Sequence, residues 1–129
     1  MVDRLFVYGT LRPGWKNEYA ERLVKTARHM GVGAIRGRLY RVAHYPALAA
    51  PRCEEDWVKG DVFEGVTAEL LRRLDEYEGG EYERGVGEVS MEDGRTLTAY
   101  FYCYVLPTGH LEWIPSGDWN RLPSSEGRG

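Results

Sequence analysis

Apolar and polar positions divide the chain into short segments. Leu5-Phe6-Val7-Tyr8 is apolar throughout and stops at Gly9, which predicts a strand over residues 4–8 and a Gly/Pro loop over 9–15. From Asn17 the spacing changes. Tyr19, Ala20, Leu23, Val24 and Ala27 recur at intervals of three and four and so share one helical face. Asn17 serves as its N-cap, Glu18 lies in the first turn, and the helix fades near Arg28. Residues 31–42, "GVGAIRGRLYRV", alternate and contain three glycines, which predicts one long strand bent at glycine.

The two prolines of "HYPALAAPR" make that stretch an edge strand or an ordered loop. Residues 57–63 read as a strand and 67–78 as a helix closed by Gly79-Gly80. Residues 82–91 and 96–105 form a hairpin around the Asp-Gly of "MEDGR". Residues 107–122 are turn-rich. With neither an internal repeat nor a domain boundary, the expectation is one domain over 1–122 and a disordered tail over 123–129. Five or six strands and two separated helices predict an α+β domain whose sheet curls into a barrel.

Composition removes several function classes. A chain of 129 residues holds one core. Its formal net charge of −3 exerts no pull toward nucleic acid or anionic membrane, and Arg36, Arg38 and Arg41 are scattered along a strand. No apolar run approaches the roughly 20 residues of a membrane span, and no basic-then-apolar leader opens the chain. The expected location is cytoplasmic, with Cys53 and Cys103 as free thiols and Cys103 a small core residue. His29, His44 and His110 lie far apart, without ligand-type partners, so no metal is expected. "GVG" lacks the remaining glycine and the following helix of a nucleotide loop. No serine sits in a nucleophile elbow.

The second helix is more informative. At ~100° per residue with Leu70 at zero, Leu74, Leu71 and Tyr77 fall near 40°, 100° and −20° and make the buried stripe. On the same wheel Glu78 falls near 80°, inside that stripe. Glu69, Arg72, Arg73 and Glu76 face water, and Asp75 flanks the stripe. Glu78 also ends the helix, where the macrodipole disfavours negative charge. Desolvation and dipole both raise its pKa, which suits a general base near neutral pH. The bland alternative is a frayed helix end with Glu78 in solvent. "YGTLRPG" complements the acid. A strand that stops at glycine can turn sharply and leave consecutive N–H groups to bind a carboxylate or a developing oxyanion.

These motifs resemble the gamma-glutamylcyclotransferase-like family, which includes AIG2-like proteins and gamma-glutamylamine cyclotransferases. The signature loop stands as Tyr8-Gly9-Thr10-Leu11-Arg12, the Y-P-A element as Tyr45-Pro46-Ala47, and the V-x-G-[ED] strand as Val58-Lys59-Gly60-Asp61. The acid motif runs from Leu74 through Glu78 to Tyr82 and Arg84. Phe63 replaces a frequent Tyr, and Ser116-Gly117-Asp118-Trp119 resembles a C-terminal element of some bacterial members. The resemblance implies a small mixed, mostly antiparallel barrel with a cavity at one end. It also implies conversion of a γ-glutamyl amine or γ-glutamyl amino acid to 5-oxoproline and free amine, without a cofactor. Glu78 is the implied catalytic acid and base. Tyr8, Gly9, Thr10, Leu11 and Tyr82 are the implied substrate-binding residues, with Tyr82 donating into the cavity and Arg84 pairing structurally with an acid. The implied partner is a small γ-glutamyl compound. The rim is expected in residues 12–18, 44–56 and 106–119, with Trp15, Trp113 and Trp119 lining it or plugging the barrel. The same residues also allow a carboxylate-binding module without turnover, or a structural role with an unused cavity.

Overall fold

The computed structural model describes residues 3–121. Five strands close a barrel in the order β1-β5-β2-β6-β7: β1 (Leu5–Val7), β5 (Trp57–Glu64), β2 (Arg28–Arg36), β6 (Tyr82–Met91) and β7 (Thr96–Tyr104). All pairs are antiparallel except β1 with β7, so the barrel is mixed. A second sheet joins β3 (Arg38–Val42) to β4 (Tyr45–Ala49) and β8 (Glu112–Trp113), with β4 at its edge, where Pro46 can sit. Helices α1 (Glu18–Thr26) and α2 (Ala68–Glu78) pack outside the barrel.

β1 shows why its sequence is apolar on every residue. Phe6 and Tyr8 join the barrel interior with Val58, Val62, Val89 and Trp119. Leu5 and Val7 face the other way, against Leu23, Leu70, Leu71 and Leu74 of the helices. A strand buried on both faces reads as a continuous run rather than an alternation.

The expected 31–42 strand is two strands. β2 starts at Arg28, directly after α1, and pairs with β5 and β6; β3 pairs with β4 and β8. Gly37 separates them, and a Cβ there would meet Leu48 and the carbonyl of Ala49. Two further expectations fail at helix faces. Val24 is 54% exposed, and Tyr77 is 47% exposed rather than buried with the leucines. Tyr77 lies near the end of α2, where it packs on Tyr19 with ring centroids 4.8 Å apart. Cys53 is an exposed free thiol, and Cys103 is a free thiol packed against the core. The expected tail over 123–129 lies outside the described residues. Among the described residues, no helix is long and apolar enough to cross a membrane.

Candidate active site

A cavity of about 280 Å³ opens where β1 ends, α2 ends and β4 passes over both. Tyr8, Gly9, Thr10, Leu11, Glu78 and Tyr82 all line it. The sequence therefore locates one shared space, and the chain brings its six candidate residues together there.

The loop after β1 is held at three points. Arg12 N–H donates to the Gly9 carbonyl at 3.0 Å, closing a turn. Asn17 Nδ2 donates to the Thr10 carbonyl at 2.7 Å while its Oδ1 caps α1 by accepting from Ala20 N–H at 2.8 Å. Pro46 packs so closely over Gly9 that a Cβ would overlap its ring. The N–H groups of Thr10 and Leu11 meet no acceptor among the described residues. They are free donors beside a cavity.

Glu78 enters from the opposite side. Thr67 caps α2 by accepting from Leu70 N–H at 3.1 Å, and Gly79, at φ 77°, stops the helix immediately after Glu78. That stop keeps Glu78 helical and turned inward instead of frayed into solvent. Burial pushes its carboxyl up from 4.5 to about 7. The effect reaches its neighbours: burial first, then the Glu78 charge, raises the phenols of Tyr8, Tyr77 and Tyr82, which stay neutral near pH 7.

Two phenol protons are already committed. Tyr8 Oη donates to the Tyr102 carbonyl at 2.6 Å, and Tyr82 Oη donates to the Pro46 carbonyl at 2.7 Å. Tyr82 therefore does not donate into the cavity as its place in the acid motif suggests; only its lone pairs are free to face a ligand. Tyr102 Oη donates to Asp75 at 2.6 Å, and Asp75 also meets Arg84 at 3.4 Å, the structural pairing expected for that arginine. The rim differs from expectation as well. Of the three rim segments only Tyr45 and Pro46 contribute, joined by Tyr77 and Glu81. Trp119 is buried in the barrel, while Trp15 and Trp113 are exposed away from the cavity. Glu81 and Tyr45 were legible only as parts of the acid and Y-P-A motifs.

Fold and cavity define a small α+β barrel with a pocket lined on one side by an acid and on the other by a loop whose Thr10 and Leu11 N–H groups meet no acceptor among the described residues. A family model described as gamma-glutamyl cyclotransferase, AIG2-like, matches residues 5–121, and the chain belongs to that family. It is similar to the protein ytfP of Escherichia coli (31% identity, TM-score 0.66, 90% of this chain and 95% of that one). It is also similar to YkqA of Bacillus subtilis (25% identity, TM-score 0.77), covering all of this chain but 44% of that one. A mouse AIG2-like protein shares the fold at 24% identity and TM-score 0.71, over 88% of this chain and 86% of that one. No curated protein sequence matches the chain.

Proposed function

We propose that the cavity converts a γ-glutamyl amide into 5-oxoproline and a free amine. One observation carries this reading: Glu78, with its carboxyl raised to about 7, faces the same small cavity as the unpaired N–H groups of the Thr10–Leu11 loop. A base near neutral pH and a fixed pair of donors are what an internal acyl transfer needs.

The substrate's two charges match the two walls. Glu78 and the lone pairs of Tyr8 and Tyr82 accept from the α-ammonium. The N–H groups of Gly9 to Leu11 hold the α-carboxylate or the oxyanion that develops on the γ-carbonyl. Glu78 takes one proton from the α-ammonium. The freed amine attacks the γ-carbonyl carbon, closing a five-membered ring through a tetrahedral intermediate. The intermediate collapses with cleavage of the original amide C–N bond as Glu78 hands its proton to the leaving nitrogen; Glu78 then takes the surplus second proton of the ring nitrogen and passes it to the freed amine, so the lactam leaves neutral and the amine leaves as an ammonium. No water is consumed. Nucleophile and electrophile belong to one molecule, so orientation supplies much of the rate.

The test is 5-oxoproline release from a panel of γ-glutamyl amines and amino acids, by the native protein and by Glu78→Gln. Turnover that vanishes in a folded Glu78→Gln protein supports the reading. Ligand-induced stabilisation without product from any panel member replaces it with a binding module.

A further inference from the structure

Helix α2 carries Glu78, yet its apolar grip on the barrel ends one turn earlier. The buried residues of the helix are Leu70, Leu71 and Leu74, whereas Glu76 and Tyr77 are exposed. Its last turn contains no basic side chain to settle the helix C-terminus. Beyond Leu74 the leucine stripe no longer fixes where the acid points. Direction matters there, because a misplacement of about 1 Å can cost about a hundredfold in rate.

A polar tie takes over at Asp75. Its carboxylate accepts from Tyr102 Oη at 2.6 Å and meets Arg84 Nε at 3.4 Å, while its main-chain carbonyl accepts from the Gly79 N–H that stops the helix. Tyr102 of β7 and Arg84 of β6 are cross-strand partners, so both grips come from one point of the hairpin. Tyr102 is buried, and Arg84 stacks over the Tyr100 ring at 4.6 Å. Tyr102 also reaches the opposite wall. Its main-chain carbonyl accepts from Tyr8 Oη at 2.6 Å, and Tyr8 immediately precedes Gly9. One residue thus touches the helix three positions before the acid and the strand that ends in the donor loop. Burial first, then the bond to Asp75, raises the Tyr102 phenol, so its proton stays in place near neutral pH.

Resting on the cyclotransferase reading, we infer that Tyr102, gripped by Asp75, is a positioning residue that sets the separation between Glu78 and the N–H groups of the loop after β1. It acts through Glu78 and Tyr8, not on the reacting atoms. Ring closure needs one molecule to meet both walls at once, with its α-nitrogen at Glu78 and its carboxylate or oxyanion on the loop. The distance between the walls decides whether it can. Each wall still binds its own end of the substrate when the tie is cut, so the loss falls on kcat more than on KM.

The experiment uses three single variants. Tyr102→Phe keeps the ring and removes the hydroxyl, Asp75→Leu removes its acceptor, and Asp75→Asn drops the charge but keeps an oxygen for the phenol. Release of 5-oxoproline is measured at a temperature where circular dichroism shows every variant folded. In Tyr102→Phe and Asp75→Leu, kcat is expected to fall about tenfold or more with KM within about threefold, while Asp75→Asn keeps kcat within about threefold. The double variant of Tyr102→Phe with Asp75→Leu is expected to fall no further than either alone, because each removes the same contact. A second readout needs no turnover. The Glu78 carboxyl, followed by carbon NMR, is expected to titrate near 7 in the native protein and in Asp75→Asn, and to move toward 4.5 in the other two as the loosened turn admits water. Its titratable neighbours in the cavity, Tyr8, Tyr77, Glu81 and Tyr82, are unchanged throughout. Lower unfolding midpoints with kcat and the Glu78 titration both unmoved, a loss confined to KM, or an Asp75→Asn as damaged as Asp75→Leu overturns the inference. A native protein that releases no 5-oxoproline from any γ-glutamyl compound overturns the cyclotransferase reading instead. The titration then decides the positioning role by itself: a shift supports it and an unmoved Glu78 overturns it.

Discussion

Arg12 Nε donates to Asp61 Oδ2 at 2.6 Å, and both side chains are buried. The same guanidinium donates through Nη1 to Asp118 at 2.9 Å, and His29 Nε2 meets the other oxygen of Asp61 at 2.9 Å. This cluster joins the last residue of the signature loop to β5, to β2 and to the Ser116–Trp119 segment. Gly117 extends the tie by accepting from Lys59 N–H at 2.7 Å. The free donors of Thr10 and Leu11 thus rest on a buried ionic clamp.

Arg12→Met removes the cation that Asp61 and Asp118 share and leaves both carboxylates buried without it. Breaking a buried pair from one side destabilises by about 3–5 kcal/mol. Urea unfolding should show that loss. Asp118→Asn, which keeps an oxygen for Nη1, should show clearly less. At a temperature where Arg12→Met stays folded, KM should rise through a loosened loop even though Arg12 touches no substrate. An unchanged midpoint would mean that the clamp contributes nothing.

The raised Glu78 carboxyl predicts a pH profile. The proposed base works only when ionised, so kcat/KM should rise with pH and reach half its plateau near 7. Below that point it should fall about tenfold per pH unit. Initial rates of 5-oxoproline release across pH 5 to 8.5 would measure it. A half-point near 4.5 would mark an ordinary solvated acid instead.

Tyr82 predicts a combined effect. Its hydroxyl donates to the Pro46 carbonyl at 2.7 Å, and Pro46 packs over Gly9. Tyr82→Phe removes this bond, a loss of about 1 kcal/mol in stability. It also removes an acceptor for the substrate ammonium. KM should rise about five- to tenfold, equivalent to about 1 kcal/mol of lost binding. A KM equal to the native value would assign Tyr82 to packing alone.

Much of this arrangement is written locally in the chain. The Asn17 cap, the leucine stripe of α2 and the Gly79 stop each depend on residues within one turn, and together they aim Glu78 inward. What the sequence hides is set by distant partners. The Gly37 break reflects which strands β2 and β3 pair with, and the alternation of 31–42 is continuous across it. Tyr77 fits the apolar stripe by angle, yet it packs on Tyr19 from another helix. Asp118 lies 106 positions from the Arg12 that it binds. The direction of the Tyr82 proton was unreadable for the same reason, because its acceptor belongs to β4.

A carboxylate that is raised in the folded state weakens the fold when charged, and the sign can be followed through pH. Below 4.5 Glu78 is protonated in both folded and unfolded chains and carries no penalty. Between 4.5 and about 7 the unfolded chain ionises while the folded one does not, so stability falls as pH rises. Above 7 both are charged and the loss is constant, about 3 kcal/mol in full. Glu78→Gln keeps the shape and a comparable helix propensity without the charge. It should therefore unfold at higher urea than the native protein at pH 8, with the gap closing as pH drops toward 4.5. The substitution expected to abolish turnover is thus expected to stabilise the fold, as a site that holds a charge at a loss requires. Equal midpoints at pH 8 would place the Glu78 carboxylate in water and remove the basis for its role as a base.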